Sequence, residues 1–315
     1  MKTSPWNRIF AFLALAIVIP ACHDGDNGDG GVPPPPTGGG TSSTFKAVKL
    51  SGRQEVPPVL SSATGSATLV VDETQTSIQV TVTFSGFTGT LTAAHIHVGL
   101  IGEDGPIIFP LVSGSFSSPL EVTLTESAFT PQPTAGITSF SQAISAIQEG
   151  RTYVNLHTAE FEDGEIRGQV GPVTLTAELN GLQEVPPVLT AGTGSLTVFM
   201  NNDQSAMTFT LDFSNLNNIN GAHIHVGPVG ADGPIIFPIA DASFASPLTG
   251  TLNEAGLTPQ PAGNVSTFAD AVDAMITGTT YANVHTTVNP DGEIRGQIQG
   301  SFVTIPPPPT KTSRR

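Results

Sequence analysis

A chain that spells out one pattern twice at domain length can fold in few ways. Gln54-Glu55-Val56-Pro57-Pro58-Val59-Leu60 returns as Gln183-Glu184-Val185-Pro186-Pro187-Val188-Leu189. Ala94-His95-Ile96-His97-Val98-Gly99 returns as Ala222-His223-Ile224-His225-Val226-Gly227. Asp104-Gly105-Pro106-Ile107-Ile108-Phe109-Pro110 and Gly164-Glu165-Ile166-Arg167-Gly168-Gln169 come back as Asp232 to Pro238 and Gly292 to Gln297. From His95 onward the offset is a constant 128 residues. Solenoid and propeller units run about 20–50 residues, so this is a tandem pair of whole domains. Drift between copies is free at most positions, yet six of the seven histidines fall in matched places.

The N-terminus reads as a targeting segment, residues 1–21. Lys2 and Arg8 precede the uncharged apolar run Ile9 to Ile19, which is shorter than the roughly 20 residues of a spanning helix. Ile19-Pro20-Ala21-Cys22 is similar to the lipobox of bacterial lipoproteins, with an unusual Pro20, and predicts lipidation of Cys22. The alternative is an ordinary signal peptide followed by a chance cysteine. Residues 22–44 are rich in Asp, Gly and Pro and read as a disordered tether. Asp24, Asp26 and Asp29 do not make a calcium loop. Gly28 and Pro35 stand where two of that loop's oxygen ligands are needed. His23 belongs to this acidic spacer, and residues 304–315 form a second disordered end.

The formal net charge is −15, and loss of Lys2 and Arg8 with the signal segment makes it more negative still. That excludes nucleic acid and electrostatic docking on anionic lipid. Cys22 is the only cysteine, so no disulfide staples the fold. Each domain, 45–172 and 173–303, must be stabilised by its own core, which a domain of this size can build.

Both domains read as all-β. Ile78, Val80, Val82 and Phe84 alternate with polar residues, as do Met207, Phe209, Leu211 and Phe213, the mark of half-buried strands. Further strands are predicted over Phe45–Leu50, Ser66–Val71, Ala93–Val98, Pro106–Leu111, Leu120–Thr125, Thr152–Thr158 and Glu165–Val170. About eight short strands per domain predict an antiparallel Greek-key sandwich or barrel. One segment breaks the pattern. Phe140, Ala143, Ile144 and Ile147 have helical spacing, with Ser139 as N-cap and Gly150 as the stop. Phe268, Val272, Met275 and Ile276 repeat it. Each helix is expected to cover one end of its own sandwich.

Strand alternation puts His95 and His97 on one face, and likewise Tyr153, Asn155 and His157. Asp163-Gly164 suits a hairpin turn, which returns Glu165, Arg167 and Gln169 beside His157. His223, His225, Tyr281, Asn283, His285, Glu293, Arg295 and Gln297 repeat the set. Three neutral imidazoles on a rigid sheet suit zinc or copper, making His95, His97, His157 and His223, His225, His285 candidate metal ligands. Glu55, Asn155, Glu165 and Arg167, with Glu184, Asn283, Glu293 and Arg295, are candidates for groups that orient those ligands. The other reading is a structural network in which these polar groups satisfy one another. No Gly-x-Ser-x-Gly elbow, available thiol or phosphate-binding glycine loop is present, so no catalytic set is legible.

Four ordered motifs carry a family resemblance. They are Gly52 with Gln54-Glu55-Val56-Pro57-Pro58, Ala94 to Gly99, Tyr153-Val154-Asn155-Leu156-His157-Thr158, and Gly164 to Gln169. Together they resemble the CHRD domain, and the second copy matches from Gly181 to Gln297. For animal members the resemblance implies extracellular binding. Growth-factor antagonism there rests largely on cysteine-rich modules that this chain lacks, so it does not transfer. The family brings no agreed catalytic residues. A weaker resemblance is to copper–zinc superoxide dismutase, which also sets a His-x-His pair on a β-sandwich. With three histidines per domain and no disulfide, this chain departs from it. The expectation is an exported, lipid-anchored two-domain binding module of the cell envelope, whose partner is an envelope or extracellular protein or polymer. The alternative is a zinc or copper metalloprotein with one three-histidine site per domain, with enzymatic activity left open.

Overall fold

The computed structural model describes residues 41–300. The signal segment, Cys22, most of the tether and the tail read from the sequence lie outside the described residues. The first domain runs β1 (Ser43–Ser51), β2 (Thr64–Val71), β3 (Ser77–Ser85), β4 (Leu91–Val98), β5 (Ile107–Ser113), β6 (Leu120–Thr125), α1 (Phe140–Gln148), β7 (Thr152–Thr158) and β8 (Ile166–Val170). The second repeats it as β9 (Val173–Asn180), β10 (Thr193–Met200), β11 (Ala206–Ser214), β12 (Ile219–Val226), β13 (Ile235–Ala240), β14 (Leu248–Asn253), α2 (Phe268–Ile276), β15 (Thr280–Thr286) and β16 (Ile294–Gln297), with a short β17 (Gln299–Gly300) beside β9.

The strand order in the first domain is β5-β4-β7-β8-β1-β2-β3-β6, and all neighbours are antiparallel. The two four-stranded halves meet at the pair Ser51 and Arg167, with the Gly171 amide also donating to the Lys46 carbonyl. The second domain has the same order and joins through Arg295 and Asn180. Ile78, Val80 and Val82 of one half share a core with Ile96 and Val154 of the other, so the halves close face to face as a sandwich. The chain passes from one half to the other between β3 and β4 and back between β5 and β6, as the Greek-key expectation requires. Alternation decides which side is buried: Ile78, Val80 and Val82 are each no more than 1% exposed.

The helices form where the spacing predicts. Ser139 caps α1 and makes a capping box with Gln142, and Thr267 does the same for α2 with Asp270. Gly150 and Gly278 follow with φ of 69° and 68°, the left-handed conformation that ends a helix most cheaply at glycine. Phe140, Ala143, Ile144 and Ile147 of α1 enter the first core. α2 does more than cover its own sandwich. Its buried Asp273 accepts hydrogen bonds from Ser51, Arg53 and Gln54 of the first domain, and Asp270 pairs with Lys49. Gln204, from the β10–β11 turn, accepts from the Val48 amide and donates to the carbonyls of Gln169 and Gly171. Val48 and Ile101 pack on the second core. The two sandwiches therefore form one unit. Among the described residues, no helix is long and apolar enough to cross a membrane.

Candidate metal centre

β4 and β7 are hydrogen-bonded neighbours, with His95 opposite Asn155 and His97 opposite Tyr153. His157 stands opposite Ala93, diagonal to His95. This register brings His95, His97 and His157 together, and β12 with β15 does the same for His223, His225 and His285. In each triad, one ring nitrogen of every histidine lies within 4.8 Å of the others. A tetrahedral zinc ion with bonds of about 2.0–2.1 Å holds its ligand nitrogens roughly 3.4 Å apart, so a triad would have to draw closer to bind one.

The remaining ring nitrogens reveal the tautomers. His97 Nδ1 lies 2.8 Å from the Gly105 carbonyl, and His157 Nδ1 lies 2.9 Å from that of Glu162. A carbonyl only accepts, so both Nδ1 atoms carry the proton and both Nε2 atoms present lone pairs. His225 and His285 repeat this toward Gly233 and Pro290. His223 Nε2 donates to Asp241 at 3.0 Å, which leaves its Nδ1 unprotonated in the neutral ring. That Nδ1 stands 2.9 Å from His285 Nε2, also a lone pair. Two lone pairs at this distance repel unless a proton or a cation lies between them. A proton does nothing for the third nitrogen. His225 Nε2, like His97 Nε2, is buried with no hydrogen-bond partner, whereas a metal ion would satisfy all three nitrogens at once. Ligating histidines characteristically donate their other N–H to a carbonyl or carboxylate.

Burial favours the neutral form of His95, His97, His157, His225 and His285. Desolvation pushes His95, His97 and His225 down to about 4, with the neighbouring imidazoles adding to the effect. His157 and His285 are lowered chiefly for the same reason. His97 stacks on Tyr153 with centroids 4.8 Å apart, and the Arg167 guanidinium lies over the Tyr153 ring, 3.5 Å from its centroid. His225, Tyr281 and Arg295 repeat the stack. Arg167 is 2% exposed and held by Asp104 and the Leu100 carbonyl.

The other candidates divide. Asn155 and Asn283 sit on the histidine face, and Asn283 Nδ2 donates to both oxygens of Glu184 at 3.0 Å. Glu55 takes the matching place beside Asn155. Burial raises Glu55 to about 8 and Glu184 to about 7, against the lowering effect of Arg167 and Arg295. Glu165 pairs neither with a histidine nor with Arg167. Its carboxylate accepts from Thr158 and Ser61, as that of Glu293 does from Thr286 and Thr190. Among the described residues, no carboxylate joins the histidines as a further candidate ligand. Sequence reasoning missed Asp241, which the first copy replaces with Ser113, and missed the partners of Arg167 and Arg295. The repeated Asp104-Gly105 and Asp232-Gly233 were the available signal for the latter.

The CHRD domain model matches residues 46–170 and 175–298. Chordin of Xenopus laevis is 24% identical over 168 residues, which cover 48% of this chain and 16% of chordin. The chain thus spans a small part of the curated relative it matches. With both sandwiches matched along nearly their whole length, the chain belongs to the CHRD domain family, as a tandem pair.

Proposed function

We propose that this chain is a metal-binding tandem module in which each CHRD domain holds one zinc or copper ion through three imidazoles. The observation that carries the reading is the pair of facing lone pairs on His223 Nδ1 and His285 Nε2, 2.9 Å apart, beside the unpartnered His225 Nε2. In the first domain, His95, His97 and His157 are the ligands. Three protein ligands leave one position open on a tetrahedral ion. Export and a lipid anchor at Cys22 complete the proposal and place the module on the cell envelope. They are supported by the apolar N-terminal run and the Ile19 to Cys22 motif. Rigid docking of the two domains supports a further role, the display of two matched faces to one envelope or extracellular partner.

The test is the metal content of the chain purified untagged and without chelator. About two equivalents per chain are expected, falling to about one in a His223→Ala, His285→Ala variant. Protein that is metal-free as purified and refuses added zinc and copper overturns the reading.

A further inference from the structure

The amide of Asn155 is 3% exposed, yet its Oδ1 has no hydrogen-bond partner, and the same holds for Asn283. One unsatisfied buried carbonyl is a defect. The same one in both copies, on the face of the histidines, is a built feature. Neither amide is free to turn over. Asn283 Nδ2 is held by both oxygens of Glu184, and Asn155 Nδ2 faces the Asp163 carbonyl. A flip would set Asn155 Oδ1 against that carbonyl, and Asn283 Oδ1 against the Glu184 carboxylate once that group is ionised. Each Oδ1 is therefore a fixed acceptor waiting for a donor. Its neighbours across the strand pair are His95 and His223. In the first domain, Asn155 and His97 line one cleft of about 620 Å³. The rim of that cleft carries Asp104, Glu160, Glu162 and Asp163.

We propose that the open coordination position of each centre is built for a neutral ligand whose donor atom carries hydrogen, water or an amine. In this reading Asn155 and Asn283 accept its hydrogen bond, and anions are selected against. The inference rests on the three-histidine reading of the preceding section. An azide or chloride ion offers no proton to Oδ1 and leaves it buried and unsatisfied, which costs affinity. At the first centre Glu160, Glu162 and Asp163 oppose an anion as well, while Asp104 is paired with Arg167. An amine satisfies the metal through its lone pair and the amide through its N–H.

The test uses the full chain loaded with cobalt(II), whose visible spectrum reports a change of ligand. Hydrazine and azide are titrated in turn at mildly alkaline pH, where hydrazine is neutral. Hydrazine is expected to bind at least about tenfold more tightly than azide, relative to aqueous cobalt, and an Asn155→Leu, Asn283→Leu variant to lose about tenfold of that preference. Should the leucine variant fail to take up cobalt, the wild-type preference still decides. Cobalt uptake with azide binding as tightly as hydrazine, or a leucine variant that takes up cobalt and keeps the full preference, overturns the inference while leaving the metal centres standing. Failure of the wild type to take up cobalt at both triads overturns both readings.

Discussion

Asp273 of the second domain accepts a hydrogen bond of 2.7 Å from Ser51 Oγ of the first, and its carboxylate is wholly buried. Gln54 Nε2 at 2.9 Å and Arg53 at 2.6 Å complete its shell. The contact has no twin. Ser145 occupies the matching position of α1, and Glu178 stands where Lys49 does. The docking is thus one-way, and a third domain could not continue it by the same contacts. Asp273→Ala strands the buried Ser51 and Gln54 donors, and should cost about 2–3 kcal/mol. Calorimetry should show one cooperative transition in the wild type and two separated transitions in the variant.

Glu55 and Glu184 tie stability to pH. Burial raises them to about 8 and about 7 from an ordinary 4.5, so the folded chain keeps protons that the unfolded chain has already released. Their contribution is complete below the unfolded value and is lost as pH rises through the folded values. Metal-free protein should therefore lose stability as pH rises from about 4.5, where the unfolded carboxyls ionise, to about 8. Glu55→Gln with Glu184→Gln keeps the shape and removes the ionisation, so its denaturant midpoint should change less over that interval. The histidines act in the opposite sense. Lowered to about 4, His97 and His225 support the fold above their unfolded value of 6.5 and withdraw that support as pH falls through 4. An equal alkaline loss in the glutamine variant would contradict this assignment.

Gly164 stands at φ 134°, and a Cβ there would lie 2.5 Å from the Asn155 amide. Gly164→Ala should cost about 1–3 kcal/mol from the backbone alone and should also displace Asn155. Gly292 has φ 137° and the same neighbour in Asn283. Denaturant melts of each variant should show the loss. The cobalt spectrum of the affected domain should change while that of its sister does not.

Much of this was legible in the chain because each domain is written twice. Period-two alternation at Ile78 to Phe84 located β3, the spacing of Phe140 to Ile147 located α1, and Asp163-Gly164 announced the turn that sets β8 beside β7. The shared face of His95 and His97 follows from strand geometry. Their meeting with His157 needed the β4–β7 register, which no local pattern contains. Glu165 was expected near the histidines because it opens the β8 segment. It precedes the first paired residue, Ile166, and Thr158 and Ser61 take its carboxylate. Asp273 and Asp241 were invisible for the opposite reason. Each differs from its counterpart in the other copy, and a comparison of copies attends to what they share.

That difference at Asp241 makes the two centres unequal. A carboxylate on the outer nitrogen orients an imidazole and raises its basicity, and loss of such a partner costs about 10–100-fold in metal affinity. Asp241 is 77% exposed, so solvent screening favours the lower end. The second centre should therefore bind zinc about tenfold more tightly than the first, and competition with a chromogenic chelator should resolve two steps. Asp241→Ser should merge them by weakening the tighter one. Ser113→Asp, which installs the carboxylate in the first copy, should merge them by strengthening the weaker. Two wild-type centres that fill in a single step would show that the Asp241 contact does not tune the metal.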